Sequence, residues 1–336
     1  MNATFPDHDT IDHVLSLATR APSIHNSQPW QWRVGHRSLH LYADRRLHLP
    51  YTDPDQRDLI LSCGAILHHA VIALASVGWH AKVHRLPNPA EPNHLAAVTL
   101  SRRRASDADI ILASTITRRR TDRRRYGPSH VPREYISVMA SLAARSGVLL
   151  RQVEHLSRVQ GILAEAAELH AASSDYLTEL ALWSGRHGSL TGVPATSTPA
   201  PDPSAAIHAR TFSGASLFQA ADSTSTDDCS SLVALATNDD NELAWLRAGE
   251  ATSLMLLTAT ALGLASCPVT EPLEISSTRD ALQIELFGAS GFPQMLLRFG
   301  WAQVGSDPLP PTPRRPVADV VERLECADFD AATALS

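Results

Sequence analysis

Two stretches, "SCGAILHHAVIALASVGWHA" (62–81) and "RAGEATSLMLLTATALGLAS" (247–266), constrain this chain more than any others. Each is apolar on most of its circumference, so the helices they predict, 59–77 and 242–262, must be enclosed rather than laid on a surface. Gly78 and Gly263 close them. Enclosing two such helices takes a large core, which 336 residues at 44% hydrophobic content can supply as one large or two ordinary domains. Gly64 and Gly249 recur near the two starts as Gly78 and Gly263 do at the ends. This reads as a loose internal repeat, two similar halves standing in for a homodimer. Identities are few and buried helices commonly look alike, so coincidence stays open on this observation alone.

Around these helices the pattern is mixed. Ile11, Val14, Leu15 and Ala18 have helical spacing, with Asp9 or Thr10 as cap. "WQWRV" and "LHLYAD" alternate as strands about a turn at Gly35. "LAAVTL", "VLLRQV", "SLVALAT" and "QMLLRF" read as further strands, 133–145 as a helix and 158–183 as one long helix. Residues 185–230, rich in Ser, Thr, Ala, Pro and Gly, are long for a connection and read as a lid or a disordered excursion. "PLPPTPRRPVADVV" is an extended tail turning into a helix.

Several function classes are disfavoured. A net charge of −6 argues against general affinity for nucleic acid. Four cysteines without a CxxC pair suit reduced thiols better than disulfides or zinc. "MNATFPDHDT" has neither a basic patch nor an apolar signal core. The longest apolar-looking stretch, around 254–264, is too short to span a bilayer, so a soluble cytoplasmic protein without a membrane partner is expected. G-x-G-x-x-G, the P-loop, H-E-x-x-H and G-x-S-x-G are all missing. His68 and His69 are adjacent, should point to different faces of a helix, and read as core or surface histidines rather than metal ligands.

Two features remain. "RAPSIHNSQPWQWRV" (20–34) is a polar, proline-bearing loop running into an aromatic strand, a common setting for binding. Arg118, Arg119, Arg120, Arg123, Arg124 and Arg125 flank Thr121 and Asp122, and Arg314–Arg315 sit between two prolines. Guanidinium groups bind phosphate bidentately, so two clusters suit a small phosphorylated ligand; a merely solvated basic face is the plainer reading. Nucleic acid is a weak alternative, since only Tyr126 could stack.

These residues resemble a known family. "APSIHNSQPWQW" is similar to the P-S-x-x-N-x-Q-P-W loop of nitroreductase-type flavoproteins, and "RRTDRRRYGPSHVP" to their R-R-S-x-R-x-[FY]…V-P segment. "ATALGLASCPVT" resembles the helix end and strand that pass the flavin, and "TPRRPVADVV" the closing R-K-P tail. In ordinary members the R-R-S segment precedes the P-S-x-x-N loop; here it follows. That order resembles the Acg-type subfamily of actinobacteria, in which two halves are fused. The resemblance implies an α+β fold of two tandem nitroreductase-like domains, each a mixed, mainly antiparallel sheet with helices, packed as a pseudo-dimer. The halves would be 1–112 and 113–336, with 185–230 as the excursion.

The resemblance also implies FMN, one per chain, because neither half carries a second complete set of motifs. Arg119, Arg120, Thr121, Arg123, Arg314 and Arg315 would reach its phosphate and ribityl chain. Pro22, Ser23, His25 and Asn26 would approach from the other side, with Cys267, Pro268 and Val269 flanking the ring. NAD(P)H would reduce the flavin and a nitroaromatic or quinone would reoxidise it, with no catalytic nucleophile and no metal. The alternative is a protein that sequesters FMN with little turnover. A monomer containing its own pseudo-dimer is expected.

Overall fold

The computed structural model describes residues 5–202, 205, 207, 210–219, 228–288 and 290–324. In chain order the elements are α1 (His8–Ala18), β1 (Trp30–Val34), β2 (Ser38–Ala43), α2 (Arg57–Ser76), β3 (Trp79–Arg85), β4 (His94–Arg102), α3 (Asp107–Thr115), α4 (Arg133–Arg145), β5 (Leu149–Gln152), α5 (Leu156–Ala171) and α6 (Ser174–Leu182). There follow β6 (Ser184–Arg186), β7 (Val193–Pro194), β8 (Ser231–Thr237), α7 (Glu242–Ala261), β9 (Ala265–Val269), α8 (Ser276–Phe287), β10 (Phe292–Gly300), α9 (Val317–Val320) and β11 (Val321–Arg323). The fold is α+β.

One sheet has the order β11-β1-β2-β4-β3, antiparallel except that β11 runs parallel to β1. Trp30, Trp32, Leu39 and Leu41 alternate inward onto α1 and α2, as a half-covered sheet requires. A second sheet, β5-β8-β10-β9, is antiparallel throughout. β8 and β10 are buried almost without interruption, because α4 and α7 cover one face of this sheet while α5 and α8 cover the other.

Between the sheets α2 crosses α7. A Cβ on Gly64 would stand 2.1 Å from the Leu246 carbonyl oxygen, and one on Gly249 2.0 Å from that of Leu61. Each glycine thus meets the carbonyl three residues before the other, a reciprocal contact that only glycine permits. At the entrance to α2 the Asp53 carboxylate accepts from the Asp58 and Leu59 backbone N–H groups (2.9 and 2.8 Å), satisfying donors the helix leaves free.

The structure corrects several expectations. Asp7, not Asp9 or Thr10, caps α1, accepting from the Thr10 N–H at 2.9 Å. Residues 158–183 are not one helix: Ser173 stops α5 and caps α6 by accepting from the Tyr176 N–H. Among the described residues α2, not the stretch at 254–264, is the helix long and apolar enough to cross a membrane, and it is enclosed in the protein. His68 and His69 do not diverge; both Nδ1 atoms reach the Ser253 hydroxyl on α7, at 2.7 and 2.8 Å. β3, α3 and α8 were not foreseen, and neither was β11.

Candidate functional site

The loop after α1 turns sharply. His25, Asn26 and Gln28 have φ of 43°, 56° and 55°, left-handed values uncommon for residues other than glycine. Contacts on all sides hold them. The Ile24 N–H donates to Ser62 Oγ on α2 (3.0 Å), and the Gln28 N–H to Ser23 Oγ (3.0 Å). Asn26 Nδ2 donates to the carbonyls of Gly192 (3.1 Å) and Pro313 (3.3 Å). Gln28 Nε2 donates to the Leu190 carbonyl (2.8 Å), and Gln28 Oε1 accepts from the Arg315 N–H (2.8 Å). The loop is therefore the joint between α2, the 185–230 segment and the tail.

Beside it lies a cavity of about 130 Å³. Pro22, Ser23 and His25 form one wall, Cys267, Pro268 and Val269 of β9 another, and Leu61, Ala65, Gly249 and Thr252 of the crossing helices a third. Thr121 and Arg123 also line it. The guanidinium of Arg123 lies 4.8 Å from the centre of the Phe212 ring. Asn26 does not line the cavity; it ties down the 185–230 segment. A hollow of about 680 Å³ between α4 and β5 is larger, but none of its lining side chains holds a buried polar atom without a partner.

A second group of four arginines gathers nearby, Arg119 buried and Arg20, Arg120 and Arg314 partly so. Arg119 is 6% exposed, and its Nε and Nη1 have no hydrogen-bond partner among the described residues. Arg314 donates to the carbonyls of Thr19 (2.9 Å), Arg20 (3.2 Å) and Ala21 (3.0 Å). Arg120 donates to those of Thr117 (2.7 Å) and Leu309 (3.2 Å). Burial, then Arg120 and Arg20, pull Arg119 down to about 10. Burial, then Arg119, Arg20 and Arg120, lower Arg314 as well. Among the described residues no carboxylate pairs with any of the four. Clustered guanidinium groups that repel one another and leave buried N–H groups unsatisfied make a candidate anion site, one that a bound anion would relieve.

Of the sequence-derived candidates, Pro22, Ser23, His25, Thr121, Arg123, Cys267, Pro268 and Val269 meet at the cavity, while Arg119, Arg120 and Arg314 gather at the anion site. The Arg315 side chain is spent on backbone carbonyls, those of Asp319 (2.9 Å) and of Gln28 in the loop (3.5 Å). Arg20 was missed, although it opens the loop motif. Also missed was a network on the cavity's far side. Arg210 donates to His25 Nε2 (2.9 Å), the Tyr176 hydroxyl (2.8 Å) and Thr270 Oγ1 (3.2 Å), and pairs with the fully buried carboxylate of Glu274. The His170 ring stacks on Tyr176 at 3.8 Å, with its Nδ1 3.3 Å from a Glu271 carboxylate oxygen. A basic residue beside Phe212, in a run of small side chains, is the one sequence signal that marked Arg210.

The nitroreductase family model matches residues 116–301, more than half of the chain. A Mycobacterium tuberculosis H37Rv protein named "Putative NAD(P)H nitroreductase Rv3131" is 55% identical over 96% of this chain and 94% of its own. Another from that strain, "Putative NAD(P)H nitroreductase acg", is 34% identical over 95% of this chain and 97% of its own. Among solved structures, the FMN-dependent nitroreductase NfnB of Mycobacterium smegmatis, in complex with NADPH, is 16% identical. That comparison covers 65% of this chain and 100% of the other, with a TM-score of 0.40. A Bacteroides fragilis nitroreductase with bound FMN is 15% identical, covering 58% of this chain and 90% of the other, with a TM-score of 0.38. With a family model across half its length and near full-length relatives that include Acg, this chain belongs to the nitroreductase family, in its Acg-type group.

Proposed function

We propose that this protein binds one FMN and uses NAD(P)H to reduce nitroaromatic or quinone-type acceptors. The observation that carries the reading is the anion site at Arg119 and Arg314 beside a cavity whose walls come from residues 22–25 and from β9. Arg119, whose buried Nε and Nη1 are unsatisfied, would hold the phosphate together with Arg314, Arg120 and Arg20. Thr121 and Ser23 offer hydroxyls toward the ribityl chain, and the Cys267–Pro268–Val269 backbone flanks the ring. Arg123 offers positive charge at the ring's edge, where reduction adds negative charge. FMN, when bound, supplies the two-electron carrier; this chain's residues place it, tune it and exclude water.

The chain is further proposed to be two fused halves, 1–112 and 113–336. The reciprocal glycine crossing and the two sheets on either side of it support this. A single chain would then suffice to build the site that paired subunits build elsewhere.

A second reading, FMN sequestration with little turnover, is favoured by Arg210 and Phe212, which narrow the cavity to about 130 Å³. One experiment separates the two. Purified protein is loaded with FMN and mixed anaerobically with NADPH, and the visible flavin absorbance is followed. Rapid bleaching, then recovery on adding menadione, supports the reductase. Loaded protein that stays yellow supports sequestration, and protein that takes up no FMN defeats both.

A further inference from the structure

His25 stands where the loop, the 185–230 segment and the cavity meet, and its two ring nitrogens differ in their surroundings. Nε2 faces Arg210 Nη1 at 2.9 Å. A guanidinium has only donors, so Nε2 must present its lone pair, and the ring proton of a neutral imidazole must then sit on Nδ1. Nδ1 is buried and has no partner among the described residues. His25 is one of the residues that line the cavity, and its backbone has φ of 43°. Strain of this kind is retained where surrounding contacts fix it, commonly at ligand sites.

We propose that Arg210 fixes His25 as the neutral Nδ1–H tautomer, making it a hydrogen-bond donor to an oxygen of the ring system bound in the cavity. That oxygen is a carbonyl of the flavin, or a carbonyl or nitro oxygen of the acceptor. The inference rests on the flavin-site reading. Arg210 is the positioning residue, held in turn by Glu274, Tyr176 and Thr270.

The charged and titratable groups around the ring agree. Arg210 comes from the 185–230 segment, Arg123 from the basic segment and His170 from α5. Burial first, then those three groups, hold His25 well below its ordinary value. The carboxylates at the cavity that could favour an imidazolium are engaged elsewhere: Glu274 with Arg210, Glu271 with His170, and Asp58, which also lines the cavity, with Arg57 at 2.8 Å. His25 therefore offers a hydrogen bond rather than a transferable proton at neutral pH, and the site selects for molecules that present an acceptor oxygen.

The test has two arms. In the first, ¹⁵N-histidine-labelled protein is studied by long-range ¹H–¹⁵N correlation, with the His25 signals identified by their loss in His25→Gln. The expected pattern is Nδ1–H, unchanged between pH 7.5 and 5.5. Arg210→Lys, which still only donates, should keep it. Arg210→Gln, paired with Glu274→Gln so that no buried carboxylate is left alone, should release it and let the ring titrate. An Nε2–H pattern in the unaltered protein overturns the inference.

The second arm uses FMN-loaded protein. His25→Asn places an amide N–H near the position of Nδ1, and His25→Gln near that of Nε2. The Asn variant should stay close to the parent, while the Gln variant should lose about threefold to tenfold, the worth of one ordinary hydrogen bond. A loss in FMN affinity assigns the oxygen to the flavin; a rise in KM for menadione with FMN retained assigns it to the acceptor. Equal behaviour of the two variants overturns the inference. Failure to load FMN defeats the cofactor reading, while the tautomer pattern still decides whether Arg210 fixes His25.

Discussion

Replacing Gly64 with alanine should reverse the usual benefit of that change in a helix. In an unobstructed helix, Gly→Ala gains up to about 1 kcal/mol. Here the new methyl would lie 2.1 Å from the Leu246 carbonyl oxygen and 2.9 Å from the Gly249 Cα. Ordinary contact begins near 3.4 Å, so α2 and α7 must separate by about 1.3 Å, the difference between 3.4 and 2.1. Both opposing atoms are backbone, so no side-chain rotation relieves the clash. Overpacking of this kind costs about 1–3 kcal/mol, and the upper end is expected because two 20-residue helices must shift together. At about 2 °C per kcal/mol for a large chain, Tm should fall by about 4–6 °C. Gly249→Ala should match it, and the double variant should cost less than the sum. Gly161 in α5 is the control: nothing lies within 4 Å of its would-be Cβ, so Gly161→Ala should be neutral or stabilising. Thermal and urea unfolding of all four variants, without FMN, decides the matter. A Gly64→Ala protein as stable as Gly161→Ala would refute the close crossing.

Arg119→Ala should weaken FMN binding by about 10- to 150-fold, the worth of one charge-assisted contact, yet leave the flavin-free protein equally or more stable because a buried, repelled charge is gone. Equilibrium dialysis and urea unfolding check this, and Arg315→Ala should change FMN affinity little. Stability should also fall with pH. Burial lowers His68 to about 4, against about 6.5 when unfolded. Above pH 6.5 its contribution is intact; below that the unfolded state binds the proton first, and about 1.4 kcal/mol is lost per pH unit down to about 4. Urea unfolding at pH 7.5, 6 and 5 should show the decline, and His68→Gln should make it shallower, the rest coming from His25, His40, His69 and His94, which burial lowers too. Phe212→Ala should enlarge the cavity and speed anaerobic bleaching by NADPH in stopped flow; an unchanged rate, with FMN retention also unchanged, would rule out Phe212 as a barrier.

The helices were legible because enclosure demands apolar residues on every side, and the glycine pair because a close crossing tolerates nothing larger. The loop at 22–28 was legible as polar chemistry beside a strand. The different placing of Arg314 and Arg315 was not, since it depends on Gln28 gripping the Arg315 backbone and on which carbonyls each side chain reaches, those of Thr19, Arg20 and Ala21 for Arg314 and those of Gln28 and Asp319 for Arg315. Residues 158–183 looked continuous because Ala172 and Ser173 do not break a helical pattern strongly; the Ser173 cap became visible only in three dimensions. Arg210 lies far along the chain from His25, and only the placing of Arg210 and Phe212 at the cavity brings them together. β11 has three residues and no periodicity of its own, and it is a strand because β1 offers it an edge.

That last pairing governs the order in which the molecule can be completed. β1 (Trp30–Val34) is synthesised long before its partner β11 (Val321–Arg323). Trp32 pairs with Val321, Arg33 with Glu322 and Val34 with Arg323, while Asn26 and Gln28 reach Pro313 and Arg315. Until residue 323 is free, the first sheet keeps an open edge beside two tryptophans, the kind of surface that recruits stray strands. Everything between residues 34 and 321 must therefore be synthesised before that edge can be closed. A chain cut short near residue 310 would lose Arg314 from the proposed phosphate site and the cover of that edge together, so a truncated product should both hold FMN more weakly and aggregate more readily.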